Sequence, residues 1–369
     1  MKFGFKAFPD TVLLLVTVAL LAFGLLVFSS ASLGLFAREG IKVSSIVANH
    51  FILGFGLGSV ALFICAALPY RLWKVAAPYL YVAALGLTAL VFVPTIGLEH
   101  GGSMRWLEFG PLSLQPSESL KVGLIMALAA YFTTIKGHIH SWYYGLGGFL
   151  AILAIPSALL LLQPDHGTLG VILITAGIMF ITAGGDLRQI AMICIAGTLI
   201  TGFVFATQPY VRERVLTFID PGRDPSGASY QVQQSLLALG SGELTGRGLG
   251  QGIQKFQYLP EPVGDSIFAV IGEEFGFIGT TIVVMLFALF LIRGFSIGIR
   301  APDYFGGLMA VGIVSYITVE AFLNMAAMLS LVPLTGIPLI FMSQGGTALF
   351  VALGSVGILV NISRHAKRM

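Results

Sequence analysis

The chain has 369 residues, of which 56% are hydrophobic and only 10% are charged, and its mean hydropathy is +0.92. Soluble globular domains carry about 25% charged residues, so this composition excludes that class and indicates an integral membrane protein. The net charge of +3 gives no indication of a nucleic-acid partner.

Ten apolar runs, each of about 20 residues and long enough to cross about 30 Å of hydrocarbon, follow one another along the chain. The first run also has features of a secretory signal, but its apolar core is longer than the roughly 7–15 residues of a signal peptide. We therefore expect it to be retained as a helix. The predicted spans are 11–32, 46–68, 75–94, 118–135, 144–163, 167–185, 187–206, 266–292, 304–330 and 346–362.

These runs predict an all-α integral membrane protein, with about ten transmembrane helices in a single polytopic domain over residues 1–369. An even number of spans places both termini on one side of the membrane. Because short cytoplasmic loops are enriched in Lys and Arg, that side is predicted to be cytoplasmic and to lie beside anionic membrane lipids. The basic residues on this side are Lys2, Lys6, Arg71, Lys74, Lys136, Arg188, Arg293, Arg300, Arg364, Lys367 and Arg368.

Three segments interrupt the helical pattern. A first extracytoplasmic loop, 95–117, and a large extracytoplasmic loop, 207–265, between the seventh and eighth helices are rich in aromatic residues, Pro and Gly. Long loops of this kind are usually functional when they are ordered. The apolar stretch 331–346 contains several Pro and Gly residues, which predicts a re-entrant or broken element beside a polar site.

The large loop contains two further patterns. Val232, Leu236 and Leu239 follow helical spacing and predict a short amphipathic helix, which either lies on the membrane surface or packs on the bundle. The glycine-rich stretch 240–252 matches no phosphate-loop register, so we expect no nucleotide. Glycines that let the backbone approach a ligand or a neighbouring helix are the better interpretation.

Ionisable side chains within membrane spans are costly and therefore mark candidate functional sites. Glu118 and Lys121 are one helical turn apart in the fourth span, where they either serve a site or neutralise each other. Asp165 lies at the corner before the sixth span and is equally suited to capping that helix. Glu320 and Asn324 in the ninth span are expected to hydrogen-bond between helices.

Three carboxylates enter the eighth span: Asp265, Glu273 and Glu274. On a helix, Asp265 and Glu273 would be about 12 Å apart along the axis and about 80° apart around it, so they form no local catalytic pair. Asp265 lies where the large loop re-enters the membrane and is reachable from outside. Glu273 and Glu274 lie deeper and are expected to pair with cations or helix ends.

Four segments together resemble the SEDS family (shape, elongation, division, sporulation), whose members are ten-helix peptidoglycan glycosyltransferases. The resemblance covers essentially the whole chain, and the stretch "GQGIQKFQYLPEP" is more similar to the FtsW branch than to the RodA branch. The segments are "GGSMRWLEFGPLSLQPSE" at 101–118, "QPDHGT" at 163–168, the region 218–279 and "NMAAMLSLVPLTGIPLIFMSQGGT" at 324–347.

This resemblance implies polymerisation of lipid II, an undecaprenyl-diphosphate disaccharide-pentapeptide, at the outer face of the bacterial cytoplasmic membrane. The family's essential aspartate falls on Asp265, which would deprotonate the acceptor hydroxyl directly or through a bound Mg or Mn ion. Arg105 and Lys121 would stabilise the diphosphate. The remaining residues of the predicted substrate-binding set are Glu118, Asp165, Glu273 and Ser343.

The sequence departs from the family pattern around the aspartate. Val263, Gly264 and Ser266 replace the family's His, Thr and Phe, and Ser-Gln-Gly-Gly-Thr at 343–347 replaces Ser-Tyr-Gly-Gly-Ser. The aspartate is retained, but neighbours that would orient it are absent. An altered or slower activity, or a variant substrate, is therefore expected.

Other function classes fit part of the pattern. A lipid II flippase, which is a transporter without chemistry of its own, also contains broken helices and intramembrane charges. A scaffold that only binds a transpeptidase is a further alternative. The resemblance implies a class B penicillin-binding protein as the partner, and an assay of polymer formation from lipid II distinguishes these classes.

Overall fold

The computed structural model describes residues 9–36, 43–93, 97–100, 103–109, 112–220 and 228–366. Every one of the ten predicted spans contains helix, and eight helical segments of the described residues are long and apolar enough to cross a membrane. The other two spans contain α5 and the shorter apolar helix α7. The predicted all-α membrane bundle is thus confirmed, and its helices are α1 (Thr11–Phe36), α2 (Val43–Ala48), α3 (Gly58–Ala67), α4 (Arg71–Leu90), α5 (Pro116–Thr134), α6 (Gly148–Leu162), α7 (His166–Thr182), α8 (Leu187–Thr207), α9 (Pro209–Ile219), α10 (Ala228–Ser241), α11 (Gln254–Gln257), α12 (Ile267–Arg300), α13 (Tyr304–Met328) and α14 (Gly346–His365).

Two spans begin with a stretch of π-helix, in which each turn is wider than in an α-helix. Asn49–Leu57 joins α2 to α3, and Trp142–Gly147 precedes α6. Gly346, at the start of α14, lies against the backbone of Asn49, where a side chain on the glycine would overlap the main chain. The wider turns therefore occur in segments that pack closely on their neighbours.

Both chain ends lie at the same end of the bundle, as the even number of spans predicts. The Asp10 amide donates to Ser363 Oγ at 3.1 Å, and the Asp10 carboxylate accepts from Arg293 at 2.7 Å and from Arg300 at 3.3 Å. These bonds join the start of α1 to α12 and α14. Among the basic residues that predicted the topology, Lys2, Lys6, Lys367 and Arg368 lie outside the described residues.

The first loop contains a small antiparallel sheet that the helical spacing of the sequence did not reveal. Its three strands are β1 (Gly97–His100), β2 (Ser103–Phe109) and β3 (Leu112–Leu114), in the order β1-β2-β3. Gly97 pairs with Leu107, and Phe109 pairs with Leu112. Gln115 then leads directly into α5. The sheet therefore fixes the position of β2 above the start of that helix.

Helix α10 resolves the alternative left by its amphipathic pattern. Leu239 packs on Gly272 of α12 so closely that a side chain on the glycine would overlap it, and Val232 is buried. Leu236 is more exposed than either. The helix is therefore packed on the bundle, with a partly exposed outer side.

Helix α12 is broken at Gly276, which has φ 65° and ψ −161°. Only glycine adopts this conformation without strain. Residues 266–274 before the break are all buried, whereas the part after it exposes apolar side chains such as Phe277 and Ile278. We call residues 267–275 the arm. The predicted continuous span over 266–292 thus consists of a buried arm and a separate outward-facing helix.

The tightest contact of α1 generates a stability prediction. A Cβ on Gly24 would overlap the carbonyl oxygen of Phe341, whereas a Cβ on Gly86 of α4 would meet nothing within 4 Å. Gly24→Ala is expected to destabilise the protein by about 1–3 kcal/mol because overpacking forces the backbone apart. Gly86→Ala is the matched control, and alanine should stabilise a helix by about 0.5–1 kcal/mol there. Thermal unfolding in detergent micelles measures both, and equal midpoints would contradict the packing.

Candidate functional site

The carboxylate of Asp265 is held from two directions at the entrance to α12. Its Oδ1 accepts from Gln231 Nε2 at 3.0 Å, and the same amide nitrogen donates to Ser266 Oγ at 3.0 Å. The Asp265 carbonyl accepts from Asn324 Nδ2 at 2.8 Å. Helices α10 and α13 therefore fix the side chain and the backbone of this half-buried residue.

The non-helical segment 329–345 supports the residues just before Asp265. Ser343 Oγ donates to the Gly264 carbonyl at 2.7 Å, and the Gln344 amide donates to the Val263 carbonyl at 2.8 Å. Asn324 Nδ2 also donates to the Ile337 carbonyl at 2.8 Å. These bonds pair backbone groups that a broken element would otherwise leave unsatisfied.

The departures from the family pattern have structural roles of their own. Val263 is buried in an apolar cluster, and Ser266 shares the Gln231 amide with Asp265. The expected loss of orienting neighbours is therefore offset by Gln231, Ser266 and Asn324. Gln231 escaped the sequence analysis because a glutamine on an amphipathic helix carries no distinctive signal.

Arg214 of α9 lies close to the Asp265 carboxylate. The sequence analysis did not identify this arginine as a site residue. Its Nη1 donates to the Leu334 carbonyl at 2.6 Å. A Cβ placed on Gly336 would lie 3.8 Å from both terminal guanidinium nitrogens and 4.0 Å from Asp265 Oδ2, so Arg214 and Asp265 flank this residue. Gly336 has φ 68°, which favours glycine. The only sequence signal was an arginine between Glu213 and Val215 in the large loop, whose helix α9 was not predicted.

Burial is the main influence on the charge of Asp265. It raises the pKa of the carboxyl to about 6, although the hydrogen bond from Gln231 acts in the opposite direction. The negative charge of Glu261 raises the pKa further, and the positive charge of Arg214 lowers it. At neutral pH the group is therefore ionised, yet it accepts a proton more readily than an ordinary aspartate.

Arg105 and Asp165 form a second group at the start of α7. Arg105, on β2, donates to the Pro164 carbonyl and lies 3.8 Å from Asp165 Oδ1. Asp165 also caps α7 by accepting from the Thr168 amide at 3.3 Å. Asp165 therefore forms an ion pair and caps α7 at the same time, so its role as a helix cap does not exclude a role in a site.

The start of α7 connects this second group to Asp265. A Cβ on Gly167 would lie 2.6 Å from Ile337 Cγ2 and 2.8 Å from the Thr335 carbonyl oxygen. Gly336 lies between Thr335 and Ile337 in the sequence, and Arg214 and Asp265 lie beside it. His166 lies within electrostatic range of both Arg105 and Arg214. One segment thus places two arginines and two aspartates around a common region.

Glu118 and Lys121 are situated differently. Lys121 Nζ lies 2.9 Å from Glu118 Oε1 and also donates to Glu320 of α13, and all three side chains are buried. The Lys121 ammonium therefore lies between the Glu118 and Glu320 carboxylates. This arrangement agrees with the alternative in which Glu118 and Lys121 neutralise each other. Removing one partner from such a buried group leaves an uncompensated charge, which costs several kcal/mol.

Glu273 and Glu274 also have partners away from Asp265. Glu273 Oε1 accepts from the Ile253 amide at 2.8 Å, at the start of α11, and Glu274 Oε1 lies 2.5 Å from Lys255 Nζ. These contacts match the expectation that the two residues bind cations or helix ends. The predicted substrate-binding roles remain predictions, and they concern Arg105, Glu118, Lys121, Asp165, Glu273 and Ser343.

A metal site made only of protein side chains is absent from the described residues, which contain no group of three or more His, Cys, Asp or Glu suited to an ion. Asp265 and Glu261 nevertheless place two carboxylates within electrostatic range of each other. Mg²⁺ is often held by one or two carboxylates together with substrate phosphates. The two carboxylates are donors of the type that Mg²⁺ takes together with substrate phosphates, so this pair is the candidate for the predicted cation.

Comparison with known sequences identifies relatives along the whole chain. The model of the FtsW, RodA and SpoVE family, described as cell cycle proteins, matches residues 10–368. The chain is 37% identical to stage V sporulation protein E of Bacillus subtilis (strain 168) over 364 residues, covering 98% of this chain and 99% of that protein. It is 35% identical to the probable peptidoglycan glycosyltransferase FtsW of Geobacter metallireducens over 358 residues, covering 97% and 95%.

Solved structures with the same fold accompany these relatives. A chain from the study "Structural coordination of polymerization and crosslinking by a peptidoglycan synthase complex" aligns with a TM-score of 0.79 and 27% identity, covering 98% of this chain and 99% of that one. The rod shape determining protein RodA of Thermus thermophilus aligns with a TM-score of 0.70 and 26% identity, covering 98% of each chain. The similarity thus includes the described arrangement of helices as well as the sequence.

The raised pKa of Asp265 predicts a pH-dependent stability change. The Asp265 carboxyl has a pKa of about 6 in the folded chain and of about 4 in the unfolded chain, so it ionises less readily when folded. The free energy of unfolding therefore falls as the pH rises from about 4 to about 6. Asp265→Asn removes this decrease and should stabilise the protein above pH 7, by less than the roughly 2.7 kcal/mol of two pKa units because Asp265 is partly exposed, and by a smaller amount near pH 4.5.

Thermal midpoints in detergent at both pH values measure this difference. Glu213→Gln is the matched control, because Glu213 is exposed on α9 and its substitution should leave the thermal midpoint unchanged. A difference for Asp265→Asn that shrinks as the pH rises would contradict the burial of this carboxyl.

Proposed function

Because the chain belongs to the family of FtsW, RodA and SpoVE proteins, we propose that it is a peptidoglycan glycosyltransferase that polymerises lipid II into glycan strands. The observation that carries this proposal is the environment of Asp265. A carboxylate with a pKa of about 6 is held by Gln231, and both it and the Arg214 guanidinium lie beside Gly336. A base and a cation therefore lie together at one site, as transfer from a diphosphate requires.

The transfer needs one base. The acceptor sugar's 4-hydroxyl oxygen forms the new bond to the donor's anomeric carbon, while the bond from that carbon to the diphosphate breaks. The hydroxyl proton passes to Asp265, and the diphosphate departs with the bonding electron pair. Attack opposite the leaving group inverts the anomeric configuration, so no second carboxylate is needed to form a covalent intermediate.

The departing diphosphate needs positive charge. Arg214 and Arg105 approach the common region from α9 and β2, and guanidinium groups suit phosphate oxygens because they donate two parallel hydrogen bonds. Lys121 was predicted to share this role, but it is bound between Glu118 and Glu320. We therefore assign the diphosphate contact to the two arginines.

A divalent cation, magnesium or manganese, would be held by Asp265 and Glu261 and would supply charge that neutralises the phosphates. The Arg214 guanidinium and Asp265 Oδ2 lie within about 4 Å of one point beside Gly336, so Arg214 would meet the same phosphates. The residues of this chain would thus bind the diphosphate at one place. No nucleotide is part of this proposal.

The proposed location is the bacterial cytoplasmic membrane, with both termini in the cytoplasm and Asp265 at its outer face. Two observations support this orientation: both termini lie at one end of the bundle, and basic residues such as Arg293 and Arg300 lie there with them. Asp265 follows the large loop at the opposite end. An outer site fits a substrate displayed on the outer leaflet.

The proposed partner is a class B penicillin-binding protein that crosslinks the new strands during division or cell-shape maintenance. Support comes from the structural relative described as part of a complex that couples polymerisation to crosslinking. The similarity to FtsW of Geobacter metallireducens and to stage V sporulation protein E of Bacillus subtilis agrees with such a role.

Purified protein incubated with lipid II, with and without a class B transpeptidase, tests the function. Glycan strands should form, and Asp265→Asn should reduce their rate by about 10²–10⁴-fold because a general base contributes that factor. Asp220→Asn is the matched control on the same large loop and should polymerise normally. Gel separation of labelled strands gives the readout.

A flippase would behave differently in the same preparation. Lipid II that crosses the vesicle bilayer while no polymer forms, with or without the transpeptidase, would refute the enzyme. Polymer that forms equally well with Asp265→Asn would leave the enzyme standing and refute the assignment of the base.

Arg214 provides a separate test of the diphosphate contact. Arg214→Met should lower kcat/KM by at least about tenfold, since a charge-assisted phosphate contact contributes more than about 1.4 kcal/mol. It should also move the pH profile of polymerisation upwards, because the Arg214 charge lowers the pKa of Asp265. Arg212→Met is the matched control, as Arg212 is exposed on the same helix. Equal effects of the two substitutions would contradict the assignment.

A further inference from the structure

The arm begins two residues after Asp265 and is enclosed by protein along its length. Residues 266–274 are all buried, between α1, α10 and the stretch that leads from α11 to Asp265. At Gly276 the chain changes direction, so the regular hydrogen bonding of α12 is interrupted. The position of the arm therefore depends on contacts other than those of a continuous helix.

The glycine-rich stretch closes this break with four backbone hydrogen bonds. The Arg247 and Gly248 amides donate to the carbonyls of Glu273 and Glu274 at 2.9 and 3.0 Å. The Phe277 and Ile278 amides donate to the carbonyls of Glu243 and Leu244 at 2.9 and 3.1 Å. One short stretch thus pairs the last carbonyls of the arm and the first amides of the following helix, which would otherwise be unsatisfied.

The glycines are needed because the two backbones touch. A Cβ on Gly242 would overlap the Gly272 carbonyl oxygen, and a Cβ on Gly246 would overlap that of Glu274. A Cβ on Gly252 would lie 2.8 Å from Glu273 Oε2. The glycine-rich stretch is therefore a backbone clamp on the arm, which confirms the interpretation that its glycines allow close approach to a helix.

A buried ion pair lies at the foot of the arm. Lys255 Nζ is 2.5 Å from Glu274 Oε1 and 2.8 Å from Ser30 Oγ, and both charged side chains are fully buried. Ser30 also donates to the Glu274 carboxylate at 2.7 Å. Three segments, α1, α11 and the arm, thus meet at one charge pair.

Lys255 and Glu274 are at the two ends of a hairpin. The chain leaves Lys255, reaches Asp265 at the tip and returns along the arm to Glu274, about 13 Å from the tip at 1.5 Å per helical residue. Between foot and tip, Leu259 and Val263 pack with Ala269 and Val270 in one apolar cluster. The ion pair closes the foot, and the apolar cluster fills the interior.

We propose that the Lys255–Glu274 ion pair positions Asp265 by fixing the two limbs of this hairpin relative to each other. The inference rests on the proposed function, since it concerns the geometry of the proposed base. Apolar contacts tolerate small sliding movements, whereas a buried ion pair with a third partner specifies one arrangement. Misplacement of a reacting group by about 1 Å can cost about 10²-fold in rate, so the pair matters for turnover.

The pair is separable from overall stability. Replacing both partners of a buried ion pair by uncharged groups of similar volume is often neutral for folding, whereas removing one leaves a buried charge without a partner. Lys255→Met together with Glu274→Gln therefore removes the electrostatic link and preserves the packing. Asp10→Asn with Arg293→Met, which also removes the contact of Asp10 with Arg300, is the control, because these ion pairs join the α1 region to α12 at the opposite end.

Three measurements on the full-length protein test the proposal. The Lys255→Met/Glu274→Gln protein should unfold within about 3 °C of the unaltered protein. Its kcat for polymerising lipid II should fall at least about tenfold while KM changes less than about threefold, as expected when a reacting group is displaced and substrate binding is kept. The control pair should retain kcat.

Hydrogen exchange provides a readout that does not require polymerisation. Amides of 259–266 should exchange faster in the Lys255→Met/Glu274→Gln protein, whereas amides of α13 should be unchanged. This pattern supports the positioning role even if the unaltered protein makes no polymer, a result that would refute only the proposed function.

Three results would overturn the proposal. The first is unchanged exchange in 259–266, and the second is unchanged kcat in an active protein. The third is a fall in the unfolding midpoint of more than about 10 °C, which would show that the pair holds the whole fold.

Discussion

The need to pair every buried backbone group is the constraint on which this site depends. Two elements of the bundle are broken, at Gly276 and over 329–345, and broken elements expose amides and carbonyls that hydrocarbon cannot satisfy. The glycine-rich stretch hydrogen-bonds the free amides and carbonyls at the first break. Asn324, Ser343 and Arg214 hydrogen-bond backbone groups of the second. Asp265 lies where the two repaired regions meet, so the groups that complete the backbone also set its surroundings.

Much of the architecture was predictable because hydrocarbon thickness imposes a length on each apolar run. All ten spans, the break after Met328 and the separation of Asp265 from Glu273 and Glu274 followed from spacing and residue type. The sheet at 97–114 was missed because its strands are short and lie inside a loop rich in turn residues. Side-chain partners across helices were also out of reach, since Gln231 and Arg214 become neighbours of Asp265 only through tertiary packing.

The structure separates the ionisable residues into two kinds. Lys121 and Lys255 each hold carboxylates in dry surroundings, where the charges are matched within the protein. Arg105, Arg214 and Asp265 are only partly buried and surround a region that a substrate can share. Motif matching ranked Lys121 with Arg105 because both occupy polar positions of the same family pattern. Partner geometry distinguishes them, since a cation already placed between two anions has little capacity left for a third.

The clamp at Gly276 also limits how the large loop can vary among related proteins. Its four hydrogen bonds pair 243–248 with 273–278 in a fixed register, so one inserted or deleted residue would shift every donor from its acceptor. A side chain on Gly276 would overlap the backbone of Gly246 and Leu244, and a side chain on Gly246 would overlap the backbone of Glu274 and Phe275. Differences in loop length are therefore expected outside residues 243–248, in the parts of the loop that this register does not fix. The paired stretch and the rest of the loop are thus open to different amounts of evolutionary change.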